Sequence, residues 1–269
     1  MQKKDQIPLG DKILLNLMTP YRESELRKLA DPPTNSMIDL WCSLSEKVLG
    51  RPIEVVVDNR RNNPKLRLSQ HEINTAFPAG YKGKVVLSAW LDAFPNLSFL
   101  MVTHEIGHWV LYLQGFRGML CRSRDFDREG LLNSLASHPP LYNLQRSIGH
   151  DPQDDVDSPC DHDIKLSSQP GAIDDVASAL YLADDLLNCS FKKRSQLTWT
   201  LRRNQPGTLR LLERIVAIAS DHDLLDHEQN VAFRRTIVKE MKLKGVWSES
   251  DSVKSIKDLI LEVEGTTSA

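Results

Sequence analysis

The sequence predicts an α+β protein, mostly helical with a small mixed β-sheet, and three observations carry that prediction. Short β-branched runs cluster between residues 52 and 91. Apolar residues recur at three- and four-residue steps over most of the remaining chain. The helical segment that follows the strands carries two histidines four positions apart, His104 and His108, with Glu105 between them. At 269 residues the chain can bury a substantial core, either as one large domain or as a core with a helical extension. The expected division is a core over 1–150, an acidic loop over 151–170 and a helical C-terminal region over 171–269, which can belong to the same domain.

In chain order, residues 22–49 read as two helices separated by the Asp31-Pro32-Pro33 break. Pro52 to Asp58 ("PIEVVVD") reads as a strand, Asn74 to Gly83 ("NTAFPAGYKG") as a short edge strand with a turn, and Lys84 to Leu91 ("KVVLSAWL") as a third strand. Pro95 and Asn96 suit a helix start and Gly115 a stop. Between them Leu97, Leu100, His104, His108 and Leu111 fall on one face. Residues 127–149 read as a helix, a break at Pro139 and Pro140, and a second short helix. His150 to Asp163 holds six aspartates and neither Lys nor Arg; without the EF-hand glycine and terminal glutamate it reads as a solvated loop. Helical patterns then fill most of the C-terminal part, and the final "EGTTSA" reads as frayed.

Composition narrows the function classes. With 34 basic and 36 acidic residues interspersed, the net charge of -2 gives no field that would recruit nucleic acid or anionic lipid. Lys192 to Arg203 is locally basic and reads as a solvated helix end. Cys42, Cys121, Cys160 and Cys189 form no CxxC pair, which disfavours a zinc ribbon or a disulfide scaffold and leads to the expectation of a reducing cytoplasm. The apolar run "ILLNLM" is too short for a signal-peptide core and no later stretch approaches a membrane span, so a soluble, unexported protein is expected.

The histidine pair is the sharpest feature. On a helix, residues i and i+4 share a face one turn apart, so His104 and His108 can converge on one tetrahedral zinc. Glu105 points to the adjacent face, where a carboxylate can act as general base on a metal-activated water without occupying the metal. A chance HExxH in a chain with 8 histidines has a probability of roughly one per cent. The competing account is an amphipathic helix whose histidines pack in the core.

The stretch "NTAFPAGYKGKVVLSAWLDAF" leading into "VTHEIGHWV" resembles the zincin metallopeptidases, in particular gluzincin-type and M48-like or ImmA/IrrE-like intracellular members. The resemblance spans about 70 residues, and HExxH is its one sharply specific element. It implies an α+β, zincin-like fold, mostly helical with a small mixed β-sheet over the active-site helix. It also implies an extended substrate lying antiparallel along the edge strand.

A catalytic zinc needs three protein ligands and an open position. The metzincin continuation is absent, since Leu111 and Gln114 occupy its glycine and histidine positions. Glu129, 21 residues after His108, is the first choice for third ligand, and Asn133, one turn on, for the group that orients a histidine. Gly130 is an odd choice inside that helix. His138, before Pro139, competes as a ligand or as an oxyanion donor, and Asp174 and Asp175 remain further candidates. Tyr142 and Tyr181 could donate to a tetrahedral intermediate but read first as packed side chains. Cys160, Asp161 and His162 read as loop, and His222 and His227 as surface.

The expectation is a Zn²⁺-dependent metallopeptidase in which His104, His108 and Glu129 bind the metal and Glu105 is the base. Its partner is a peptide or protein substrate, with no nucleic acid or membrane. Alternatives are a regulatory protease of the ImmA/IrrE type cleaving a repressor, and a non-catalytic zinc-binding interaction module. A SprT-like protease acting on DNA-bound proteins is disfavoured by the lack of a basic patch or zinc ribbon.

Overall fold

Asp31 opens the first long helix by accepting a hydrogen bond from the Thr34 amide (3.0 Å), with Pro32 in the first turn, where its missing N–H costs nothing. Gly50 closes that helix in the left-handed conformation at φ +83°. The DPP break is therefore a helix start, as its composition suggests. The computed structural model describes residues 21–59, 75–91, 99–122, 126–169 and 176–265; Pro95 and Asn96, the expected start of the histidine helix, lie outside them. The chain divides into two compact units, Met1–Leu113 with Ser252–Ala269, and Gln114–Asp251.

In the first unit, β1 (Tyr21–Arg22), α1 (Glu23–Leu29), α2 (Pro32–Leu49), β2 (Val55–Asn59), β3 (Thr75–Tyr81), β4 (Lys84–Leu91) and α3 (Phe99–Leu113) follow in order. The strands form a mixed sheet in the order β1-β2-β4-β3, with β2 parallel to β4 (Val55 opposite Leu87) and β3 antiparallel to β4 (Thr75 opposite Trp90). Val55, Val56 and Val57 are all fully buried, as in a central strand covered on both faces. Trp41 of α2, also fully buried, donates its indole N–H to the Ile53 carbonyl (2.7 Å), which fixes the helix against the strand entry. Lys82 and Gly83, both at positive φ, make the two-residue hairpin that sets β3 against β4. The edge position of β3 tolerates Pro78.

In the second unit, β5 (Met119–Cys121) is followed by α4 (Phe126–Ser147), α5 (Gln153–Ser167), α6 (Val176–Asn188), α7 (Phe191–Asn204), α8 (Pro206–Ser220) and α9 (His227–Glu240), and β6 (Trp247–Glu249) pairs antiparallel with β5. Leu132, Leu135 and Ala136 of α4 pack with Ala179, Leu180 and Ala183 of α6, with Ile215 of α8 and with Phe233 and Ile237 of α9. After β6, α10 (Ser252–Gly265) belongs to the first unit, where it packs on β3, β4, α2 and α3. A Cβ on Gly80 would stand 3.1 Å from a Val263 methyl, so glycine there lets α10 lie close on the edge strand.

Two expectations change. Pro139 and Pro140 do not break the helix, which runs unbroken from Phe126 to Ser147. Pro140 cannot donate to the Ala136 carbonyl four residues back. Fully buried Asn230 does so instead, its side-chain amide lying 2.6 Å from that oxygen. The acidic run also is a helix, α5, and not a loop. Val156, Cys160 and Ile164 recur every fourth residue on its packed side, while Asp154 and Asp155 in the first turn complement the helix dipole. Asp157 accepts from the Ser190 amide (2.8 Å) at the start of α7.

Candidate metal centre

α3 is built to be interior. Val102, Ile106 and Val110 are fully buried and Leu113 nearly so, while His104 and His108 lie half-buried on another side of the helix. The predicted histidine face is therefore not the most deeply packed one, and imidazoles that retain access suit a ligand role better than a core role. The Trp109 indole N–H donates to the Ala76 carbonyl (2.8 Å), tying the helix to edge strand β3.

The two imidazoles turn their Nε2 atoms toward each other at 3.3 Å, with ring planes at 83°. Two nitrogens each about 2.05 Å from a tetrahedral zinc stand roughly 3.3–3.4 Å apart, so the pair already has the spacing that the ion imposes. A direct N–H···N bond between the rings is the competing account, and the 3.3 Å separation fits that as well. Glu105, between them in sequence, is buried with 7% exposure.

In the second unit, His138 on α4 directs Nδ1 to Asp184 Oδ2 of α6 at 2.6 Å. Asp184 Oδ1 accepts from the Asn188 side-chain amide (2.8 Å), and the Tyr142 ring lies against the imidazole, with centroids 5.2 Å apart. Burial, then the carboxylates of Asp184, Asp185 and Asp155, push the Tyr142 phenol up, so its proton stays on. Within the first unit, His104 and His108 are a pair that could hold part of a metal's ligand set.

Glu129, the expected third ligand, is tied to strand β5. Its Oε2 accepts the Cys121 amide (2.6 Å), and Asn133 pairs through both side-chain atoms with the backbone of Met119 (2.8 and 2.9 Å). Four helical residues rise about 6 Å and two strand residues about 6.6 Å, so an i, i+4 pair on α4 matches alternate residues of β5. The ExxxN pattern thus fastens a strand. Asp174 and Asp175 lie outside the described residues.

Of the other sequence candidates, Cys160 packs inward on α5 while Asp161 faces out and pairs with Lys193. His222 Nδ1 contacts the Ile218 carbonyl (2.7 Å), and His227 is exposed beside Phe116. Tyr181 is 46% exposed. Asp163 of α5 is nearly fully buried, and its Oδ2, like that of Asp185 on α6, has no hydrogen-bond donor. Burial and the facing Asp163 carboxyl push the Asp185 carboxyl up to about 9. Sequence reasoning passed over Asp184 and Asn188. Their signal was a polar i, i+4 pair in the apolar stretch "LYLADDLLN".

Among the described residues no helix is long and apolar enough to cross a membrane. Compared with models of known protein families, with curated proteins and with solved structures, the chain matches none of them.

Proposed function

We propose that the protein is a zinc-dependent metallopeptidase in which His104 and His108 are two of the metal's ligands and Glu105 is the general base. The observation that carries this reading is the 3.3 Å separation of the two Nε2 atoms on a helix that also presents the buried Glu105. Neutral imidazoles are donors that suit Zn²⁺.

When bound, the zinc would supply Lewis-acid polarisation of a peptide carbonyl and a lowered pKa for water at the open position. The Glu105 carboxylate takes the proton of the attacking water and delivers it to the leaving amine nitrogen.

The test is digestion of a mixed peptide library by the zinc-loaded full chain, read by mass spectrometry, with Glu105→Gln alongside. Loss of a general base should lower cleavage about 10²- to 10⁴-fold while zinc content stays unchanged. Equal product from the two proteins would overturn the reading.

A further inference from the structure

We infer that a groove between α5 and α7, within the second unit, is a docking site for an acidic peptide segment that places one apolar side chain beside Trp199. The groove has a volume of about 550 Å³, and its walls include Asp161, Ile164 and Lys165 of α5 and Ser195, Trp199 and Thr200 of α7. That size is in the range of pockets that enclose a ligand group. Its place follows from the packing of the two helices. Leu197 and Leu201, on the inner face of α7, join Val156 and Cys160 of α5 in one apolar cluster. Ser195 and Trp199, one turn apart, stand on the adjoining face and border the seam. Trp199 is 62% exposed there, and a bare tryptophan at the rim of a groove is the kind of side chain that anchors a partner.

Charge selects the partner. α7 carries Lys192, Lys193, Arg194, Arg202 and Arg203 and no acidic residue. Lys192, Lys193 and Arg194 stand at its start, where cations oppose the helix dipole, so helix stability does not account for them. Lys193 pairs with Asp161 across the seam, and Arg194 Nε donates to the Cys189 carbonyl (2.7 Å). Lys192 and Arg203 are exposed on the same face as Trp199, two turns before it and one turn after it. Those offsets are about 10.5 Å and about 6 Å along the helix, which an extended chain spans in about three and about two residues. The complementary ligand is a segment whose apolar side chain has carboxylates at those distances on its two sides.

Two other anionic partners fit less well. The Arg203 guanidinium lies over the Trp199 ring, 5.7 Å from its centroid, so the ring is held by a cation and not left bare for a nucleic-acid base to stack on. A bilayer takes a protruding apolar face, whereas this one is a groove.

The experiment measures fluorescence anisotropy on the full chain carrying Glu105→Gln, a background that separates binding from cleavage. The probes are two fluorescein-labelled peptides, each with one leucine and two glutamates at that spacing, in one chain direction or the other. At least one should bind saturably, and more weakly as salt rises. Trp199→Ala, and separately the pair Lys192→Glu and Arg203→Glu, should each weaken binding about 10-fold or more, as should leucine to serine in the peptide. Circular dichroism checks folding. Should Trp199→Ala not fold, the Trp199 indole N–H resonance of the parent chain, which must shift on saturation, takes its place. No saturable binding below about 1 mM, equal binding by folded variants, or tighter binding of an oligothymidylate of about 12 nucleotides or of phosphatidylserine vesicles would overturn the inference.

Discussion

Replacing Asp185 by Asn should stabilise the protein above neutral pH and leave it unaffected in acid. The Asp185 Oδ2 is buried without a donor, and burial together with Asp163 raises its carboxyl to about 9. Unfolded, the same group titrates near ~3.9. Below about pH 4 both states are protonated and the group has no pH effect on stability. Between about 4 and 9 the folded chain holds a proton that the unfolded chain has released, so stability falls as pH rises. The limiting slope is about 1.4 kcal/mol per pH unit, or up to about 2.7 kcal/mol between about pH 5 and 7 for a fully developed shift. Asp163, Tyr181, Cys160 and Asp184 act on the same carboxyl, so the measured slope should lie below that limit. The amide introduced by Asp185→Asn is neutral throughout and can donate to Asp163 Oδ2. Urea unfolding at about pH 5, 6, 7 and 8, followed by circular dichroism, should give a wild-type midpoint that falls with pH relative to the variant. Parallel curves for the two proteins would refute the reasoning.

Other consequences are simpler. Gly130 sits inside α4 with nothing within 4 Å of a built Cβ, so Gly130→Ala should raise stability by about 0.5–1 kcal/mol in urea titrations. Asn230→Ala removes the donor to the Ala136 carbonyl opposite Pro140 and should cost about 1–3 kcal/mol; no loss would mean the proline pair needs no such support. Asn133→Ala breaks both bonds to Met119 and should lower the thermal midpoint while zinc affinity stays at the wild-type value.

The parts of the fold that were legible were those fixed by neighbours in sequence. The DPP helix start, the strands at Val55–Asn59, Thr75–Tyr81 and Lys84–Leu91, and a helix around His104 and His108 all follow from local pattern and turn chemistry. What escaped depends on distant partners. The helix through Pro139 and Pro140 needs Asn230, some 90 residues on. The apolar stripe of α5 is thin enough for its aspartates to hide it. Glu129 and Asn133 have ligand-like spacing, yet β5 takes both, because i, i+4 on a helix matches i, i+2 on a strand. His138 was weighed as an alternative ligand, and its partner Asp184, on another helix, could not be inferred from local sequence.

The most direct test of the central claim is the zinc content of the purified full chain by metal mass spectrometry, for wild type and the His104→Ala, His108→Ala double variant, with circular dichroism to verify folding. About one zinc per chain in wild type, with loss in the double variant, is the predicted result. A folded wild type that stays metal-free after zinc loading, or a folded double variant that keeps its zinc, would contradict it.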